Sequence, residues 1–147
     1  MVKGGWLTMT RRKSGSLAVI PWTAVNTPDW FEWTDDLDLS LGASPRHMTY
    51  IVTAGGKPRS EKCASQWFSK ACRAAGLENG KSAHGLRKLR ASMFRENGAS
   101  EDRRKAILGH ETGAEAAHFS KSADMRRVIS GTEFPTPASQ SSKSAYK

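Results

Sequence analysis

Long hydrophobic runs are missing from this chain of 147 residues. No apolar stretch approaches the roughly 20 residues that span a bilayer as a helix, and the mean hydropathy is −0.58. The opening Met1-Val2-Lys3-Gly4-Gly5-Trp6 has no apolar centre, so it does not read as a signal peptide. No membrane partner is expected. Cysteine is scarce: Cys63 and Cys72 are the only two, nine residues apart on one expected helix. That spacing suits neither a disulfide nor a zinc site, and both read as reduced, packed residues of a cytosolic protein. Tyrosine is scarce too. Tyr50 falls in an expected strand and reads as core, and Tyr146 falls in a polar tail. Acids are outnumbered, with 14 Asp and Glu against 23 Lys and Arg, for a net charge of +9. Such a balance suggests a polyanionic partner, most often nucleic acid, although a basic protein without one would also carry it.

The charges that are present are segregated. Residues 1–28 hold Lys3, Arg11, Arg12 and Lys13 and no acid. Residues 29–45 hold Asp29, Glu32, Asp35, Asp36 and Asp38 and no base below Arg46. Residues 81–130 hold eleven Lys and Arg against six acids. Clustered positive charge binds phosphates without reading sequence.

Trp6 to Thr10 and Leu17 to Pro21 are β-rich runs flanking Arg11 to Gly15, which predicts a hairpin with a basic tip. Thr27-Pro28 predicts a helix start, and a short helix over 28–38 would draw apolar surface from Trp30, Phe31, Trp33 and Leu37. Met48 to Thr53 reads as a strand. Ser60 is expected to cap a helix reaching about Ala75, stopped by Gly76. Helices follow over about 84–97, ending at Gly98, from the Ser100 cap to about Leu108, and after Gly109-His110. Ser122 is expected to cap a last one ending at Gly131. The fold class is α+β and mostly helical, with a small antiparallel sheet beside a helical bundle. Residues 1–131 form the folded part, and residues 132–147 read as a flexible C-terminal tail without a core.

Two short motifs carry chemistry. His84-Gly85-Leu86-Arg87 opens a helix, and residues three apart lie about 60° apart around the axis, so His84 and Arg87 share an edge. Leu86, Leu89 and Met93 can then face the core. A guanidinium clamps phosphate oxygens and an imidazole moves a proton. Alone, such a pair is an ordinary surface feature. The second motif is Ile107-Leu108-Gly109-His110, where a glycine ends a helix and presents His110 at a turn. Alone, His110 could be a cap or a half-buried donor. His47 and His118 read as surface or packing residues, and Arg103, Arg104, Arg126 and Arg127 as solvated faces open to phosphate contact.

In this order, with basic flanks, the motifs resemble the tyrosine recombinases of the phage-integrase family. That family carries His-x-x-Arg at a helix start, a Leu-Gly-His turn about two dozen residues later, and a nucleophilic tyrosine about nine residues beyond. Here Arg87 and His110 are 23 residues apart, and the ninth residue after His110 is Phe119. Ser120-Lys121-Ser122-Ala123-Asp124, Thr10 to Gly15 with Val19-Ile20-Pro21, Thr53 to Pro58, and Trp67 to Leu77 are also similar to family segments, so the resemblance spans about residues 6–130.

The resemblance implies DNA cleavage and rejoining through a 3′-phosphotyrosyl link, with double-stranded DNA as partner. It implies a homo-oligomer on DNA, no cofactor, no metal, and a cytoplasmic, nucleoid-associated place on a mobile element. Arg87 would clamp the scissile phosphate, His84 and His110 would orient it and assist proton transfer, and Lys13 would act as general acid. Arg11, Arg12 and Lys13 are adjacent, so the lysine's assignment is the loosest. Two departures stand out. The family's first catalytic arginine and its N-terminal DNA-clamping domain would precede the hairpin and are not in this sequence, so a fragment is expected. Phe119 has the ring of the tyrosine and no hydroxyl, so catalysis is not expected.

Overall fold

The computed structural model describes residues 1–43 and 51–131. Among them are three strands, β1 (Val2–Lys3), β2 (Trp6–Thr10) and β3 (Leu17–Pro21). The helices are α1 (Asp36–Ala43), α2 (Glu61–Ala74), α3 (Ala83–Glu96), α4 (Glu101–Leu108), α5 (Gly113–Phe119) and α6 (Met125–Ser130). The class is α+β, mostly helical, with one small antiparallel sheet. No helix among the described residues is long and apolar enough to cross a membrane. The chain divides into two compact units, Met1–Glu32 with the chain from Lys88 on, and Trp33–Arg87.

In the first unit, β2 pairs with β1 and β3, in register Trp6 to Pro21, Leu7 to Ile20 and Thr8 to Val19. Arg11 and Ser16 close the hairpin, the Arg11 N–H donating to the Ser16 carbonyl at 2.8 Å. Ala18 on β3 is buried, and α4 packs across that strand. The core joins Ala91 and Phe94 of α3, Ala99, and Ile107 and Leu108 of α4, with Ile20, Trp30, Phe31 and Phe119 packed against it. Burying Phe94, Ile107 and Leu108 supplies roughly 1.5–3 kcal/mol each.

The helix expected over 28–38 is not there. Pro28 to Phe31 form a turn, the Phe31 N–H donating to the Pro28 carbonyl at 2.8 Å, and α1 begins only at Asp36. The turn turns both rings onto Phe94: Phe31 stacks at 5.3 Å and Trp30 meets it edge-on at 5.5 Å. Arg90 then lies over Phe31 and Phe94, 5.0 Å from each ring centre, and donates to the Glu32 carbonyl at 3.0 Å. Burial lowers the Arg90 pKa, against the opposing pull of Glu32. In a helix, adjacent residues 30 and 31 would diverge by about 100° and could not both face one ring.

The inward face of α3 also differs from expectation. Ala91, Ser92 and Phe94 are buried, whereas Leu86 is 49% and Leu89 54% exposed. The last helix is capped by Asp124, whose carboxylate accepts from the Arg126 N–H at 2.9 Å. Ser122, expected as that cap, faces Ser92 at 2.9 Å between hydroxyls.

In the second unit, Ser60 caps α2 by accepting from the Cys63 N–H, and Gly76 follows its end. Arg59 donates to the Val52 carbonyl at 2.9 Å and lies over the Trp67 ring at 5.2 Å. Val52 and Pro58 form an isolated antiparallel bridge. Cys63 is exposed and Cys72 buried, both as free thiols. The beginning of the expected 48–53 strand, His47, Tyr50, and the tail 132–147 with Tyr146 lie outside the described residues.

Candidate functional site

The His110 turn is built by α4 and held by the hairpin. Ser100 caps α4 through the Arg103 N–H, and the helix ends on Gly109 in the left-handed region. That conformation turns the Gly109 carbonyl toward the hairpin. Arg11 donates to it at 2.7 Å and Ser16 at 2.6 Å. Arg11 also pairs with Glu115 of α5 at 3.1 Å. The other Glu115 oxygen accepts from the Glu111 N–H at 3.2 Å. Burial pushes the Glu115 pKa up, but the Arg11 hydrogen bond, the Glu111 N–H and the nearby His110 and Arg11 charges together hold it below the usual carboxylate range. Hairpin, turn and α5 are thus tied through one arginine.

His110 follows this turn and is 5% exposed. Its ring lies 4.6 Å from the Phe119 ring at a tilt of 47°, and His118 meets Phe119 edge-on at 5.8 Å. Phe119 ends α5 and packs on the core. Ser120 behind it is fully buried. Its hydroxyl donates to the Ala116 carbonyl at 2.8 Å and accepts from Arg104 at 2.6 Å. The ring at 119 is therefore anchored on both sides.

The structure brings His110 and Phe119 into direct contact. Lys13 is exposed in the hairpin turn whose base holds Gly109. His84 and Arg87 stand on neighbouring turns at the start of α3, in the second unit, with His84 exposed and Arg87 half-buried. Ser82 caps this start, accepting from the Gly85 N–H at 3.1 Å. Among the described residues no cluster of His, Cys, Asp and Glu could hold a metal ion.

Sequence reasoning missed Arg11 and Glu115 as one device. In the sequence Arg11 reads only as one of three adjacent cations in a basic tip. Thr112-Gly113-Ala114-Glu115 has capping-box spacing, and Thr112 does cap α5 through the Glu115 N–H at 3.2 Å. The carboxylate reaches past the cap to Arg11, a link of 104 residues that spacing does not reveal. Chemically, the arrangement fixes a buried imidazole beside an aromatic ring, and the hairpin that holds the preceding Gly109 carries an exposed lysine. Comparison with family models, curated proteins and solved structures finds no match to this chain.

Proposed function

We propose that the chain is a DNA-binding piece of a tyrosine-recombinase-type integrase in which Phe119 stands at the nucleophile's position. The observation that carries the reading is the Phe119 ring held 4.6 Å from His110 on a Leu-Gly-His turn. In the reading, a tyrosine at 119 would present its hydroxyl beside that imidazole. In a tyrosine-bearing version, Arg87 would clamp the scissile phosphate, His84 and His110 would orient it and assist proton transfer, and Lys13 would be the general acid. Nucleophilic attack and charge stabilisation would be the chemistry of a tyrosine-bearing version. This chain binds duplex DNA without cutting it, and a homo-oligomer forms on DNA. The net charge of +9 supports a polyanionic partner.

A second reading is a non-catalytic DNA-binding or assembly protein derived from an integrase, and the missing hydroxyl at Phe119 favours it. Incubation with a nicked suicide duplex separates the two. The unmodified chain gives no covalent adduct. Phe119→Tyr alone reacts poorly, because the family's first catalytic arginine is not in this sequence. If Phe119→Tyr joined to an upstream segment that supplies that arginine gives an adduct, the remaining constellation is intact and the integrase reading holds. DNA binding without any adduct from this double restoration favours the binding-only protein. An adduct from the unmodified chain would sink the placement of Phe119.

A further inference from the structure

Two arginines from different helices meet on Ser120. Arg104 of α4 donates to its hydroxyl at 2.6 Å, and Arg95 of α3 donates to its carbonyl at 3.4 Å. Neither takes part in an ion pair among the described residues, where the acids beside them are engaged elsewhere. Glu96 holds Arg127 at 3.3 Å and accepts from the Asp124 N–H at 2.8 Å. Glu101 faces Lys105 at 3.9 Å. Burial and then the Arg95 charge lower the Arg104 pKa, with only Glu101 opposing.

Donor capacity is left over at this meeting point. The Arg104 Nε is buried and has no acceptor among the described residues. The second Arg95 nitrogen has the Met125 sulfur at 3.9 Å, and a thioether is a weak acceptor. Met125 is 55% exposed, so this end opens to solvent. Both guanidinium groups reach Ser120, and a guanidinium fork matches the oxygens of a tetrahedral anion.

We propose that Arg95 and Arg104 form a seat for one phosphate-type oxyanion, entering past Met125 beside Ser120. A free phosphate and a backbone phosphate of DNA share this chemistry. Only the second source rests on the DNA-binding reading.

The test is a titration of the full chain with inorganic phosphate at constant ionic strength, following arginine Nε–H signals by nitrogen-15 NMR. Arg95 and Arg104 shift together and saturably, and the exposed Arg103 does not. Absence of saturable shifts, or equal shifts at Arg103, overturns the seat. Arg95→Gln weakens phosphate by about tenfold, the scale of one charge-assisted hydrogen bond, whereas Arg103→Gln changes it less than about twofold. Equal losses in the two variants also overturn it. Competition by a short duplex assigns the seat to a backbone phosphate. A duplex that leaves the phosphate shifts unchanged assigns it to free phosphate. Failure of duplex binding with the shifts intact sinks the DNA reading and spares the seat; the reverse result sinks the seat alone.

Discussion

At Gly109 the backbone sits at φ +62°, and the space a Cβ would need is held by Arg11 Cδ at 2.9 Å and Ala18 Cβ at 3.2 Å. An L-residue there meets both the left-handed penalty and the strap that fixes His110. Gly109→Ala is expected to cost roughly 1–2 kcal/mol from the backbone alone, with further loss where Arg11 must move. Urea unfolding checks this, and a cost under about 0.5 kcal/mol would mean the turn relaxes freely. Glu115 gives a pH signature. Its folded pKa lies below the usual value, so its contribution is present above about pH 4.3 and disappears as pH falls through the folded pKa. The pair is partly exposed, 23% at Arg11 and 30% at Glu115, so screening limits it to about 1 kcal/mol or less. Glu115→Gln therefore lowers Tm at neutral pH, and the gap to the unmodified chain closes on acidification. A gap that is constant from neutral to acid pH would remove the carboxylate from the account.

A side-chain cap satisfies backbone N–H groups in the first turn of its own helix. Asp124 holds the first turn of α6, so Asp124→Ala should cost about 1 kcal/mol. Hydrogen exchange should report it as lost protection at the Val128 N–H, which donates to the Asp124 carbonyl, with α4 unchanged. Equal loss in α4 would mean that the cap serves the whole unit. The aromatic turn at Pro28–Phe31 depends on α3. Phe94 is 3% exposed and meets both Trp30 and Phe31. Phe94→Ala is expected to destabilise by about 3–5 kcal/mol, and a denaturant midpoint measures it. A cost under about 1 kcal/mol would show that the cluster is not what holds the turn.

The whole molecule is a basic chain whose charges are sorted along its length. Under the proposed function, binding to a random duplex falls steeply with salt, with a log–log slope of about 0.9 per phosphate neutralised. A titration at low and high salt reads the slope directly. Binding that ignores salt, or no binding at low salt, counts against DNA as the partner. Hairpin, α4 and α5 meet through Arg11 across about a hundred residues of chain, the Arg11–Glu115 separation being 104. Closing a loop of that length is entropically unfavourable, though the cost grows only slowly with length. A charged strap and a shared apolar core offset it together.

The hairpin strands, the caps at Ser60 and Ser100, and the glycine ends of α2, α3 and α4 were legible in the sequence, because each rests on local rules of a few residues. The bases and their clustering were legible too. What the sequence did not determine was decided by contacts between distant segments. Thr27-Pro28 has a helix-start pattern, yet Trp30 and Phe31 both meet Phe94 from a turn, and packing overrides local propensity. Leu86 and Leu89 satisfied a helical period and still ended exposed, because Ala91 and Phe94 present the face that α4 and the aromatic turn can cover. Arg11 was one of three adjacent cations until the fold placed the Gly109 carbonyl and Glu115 within its reach. The sequence alone set which residues can donate, accept and bury; only the tertiary structure decided which of them meet, since a hydrogen bond needs a partner within about 3 Å and spacing along the chain does not fix that distance.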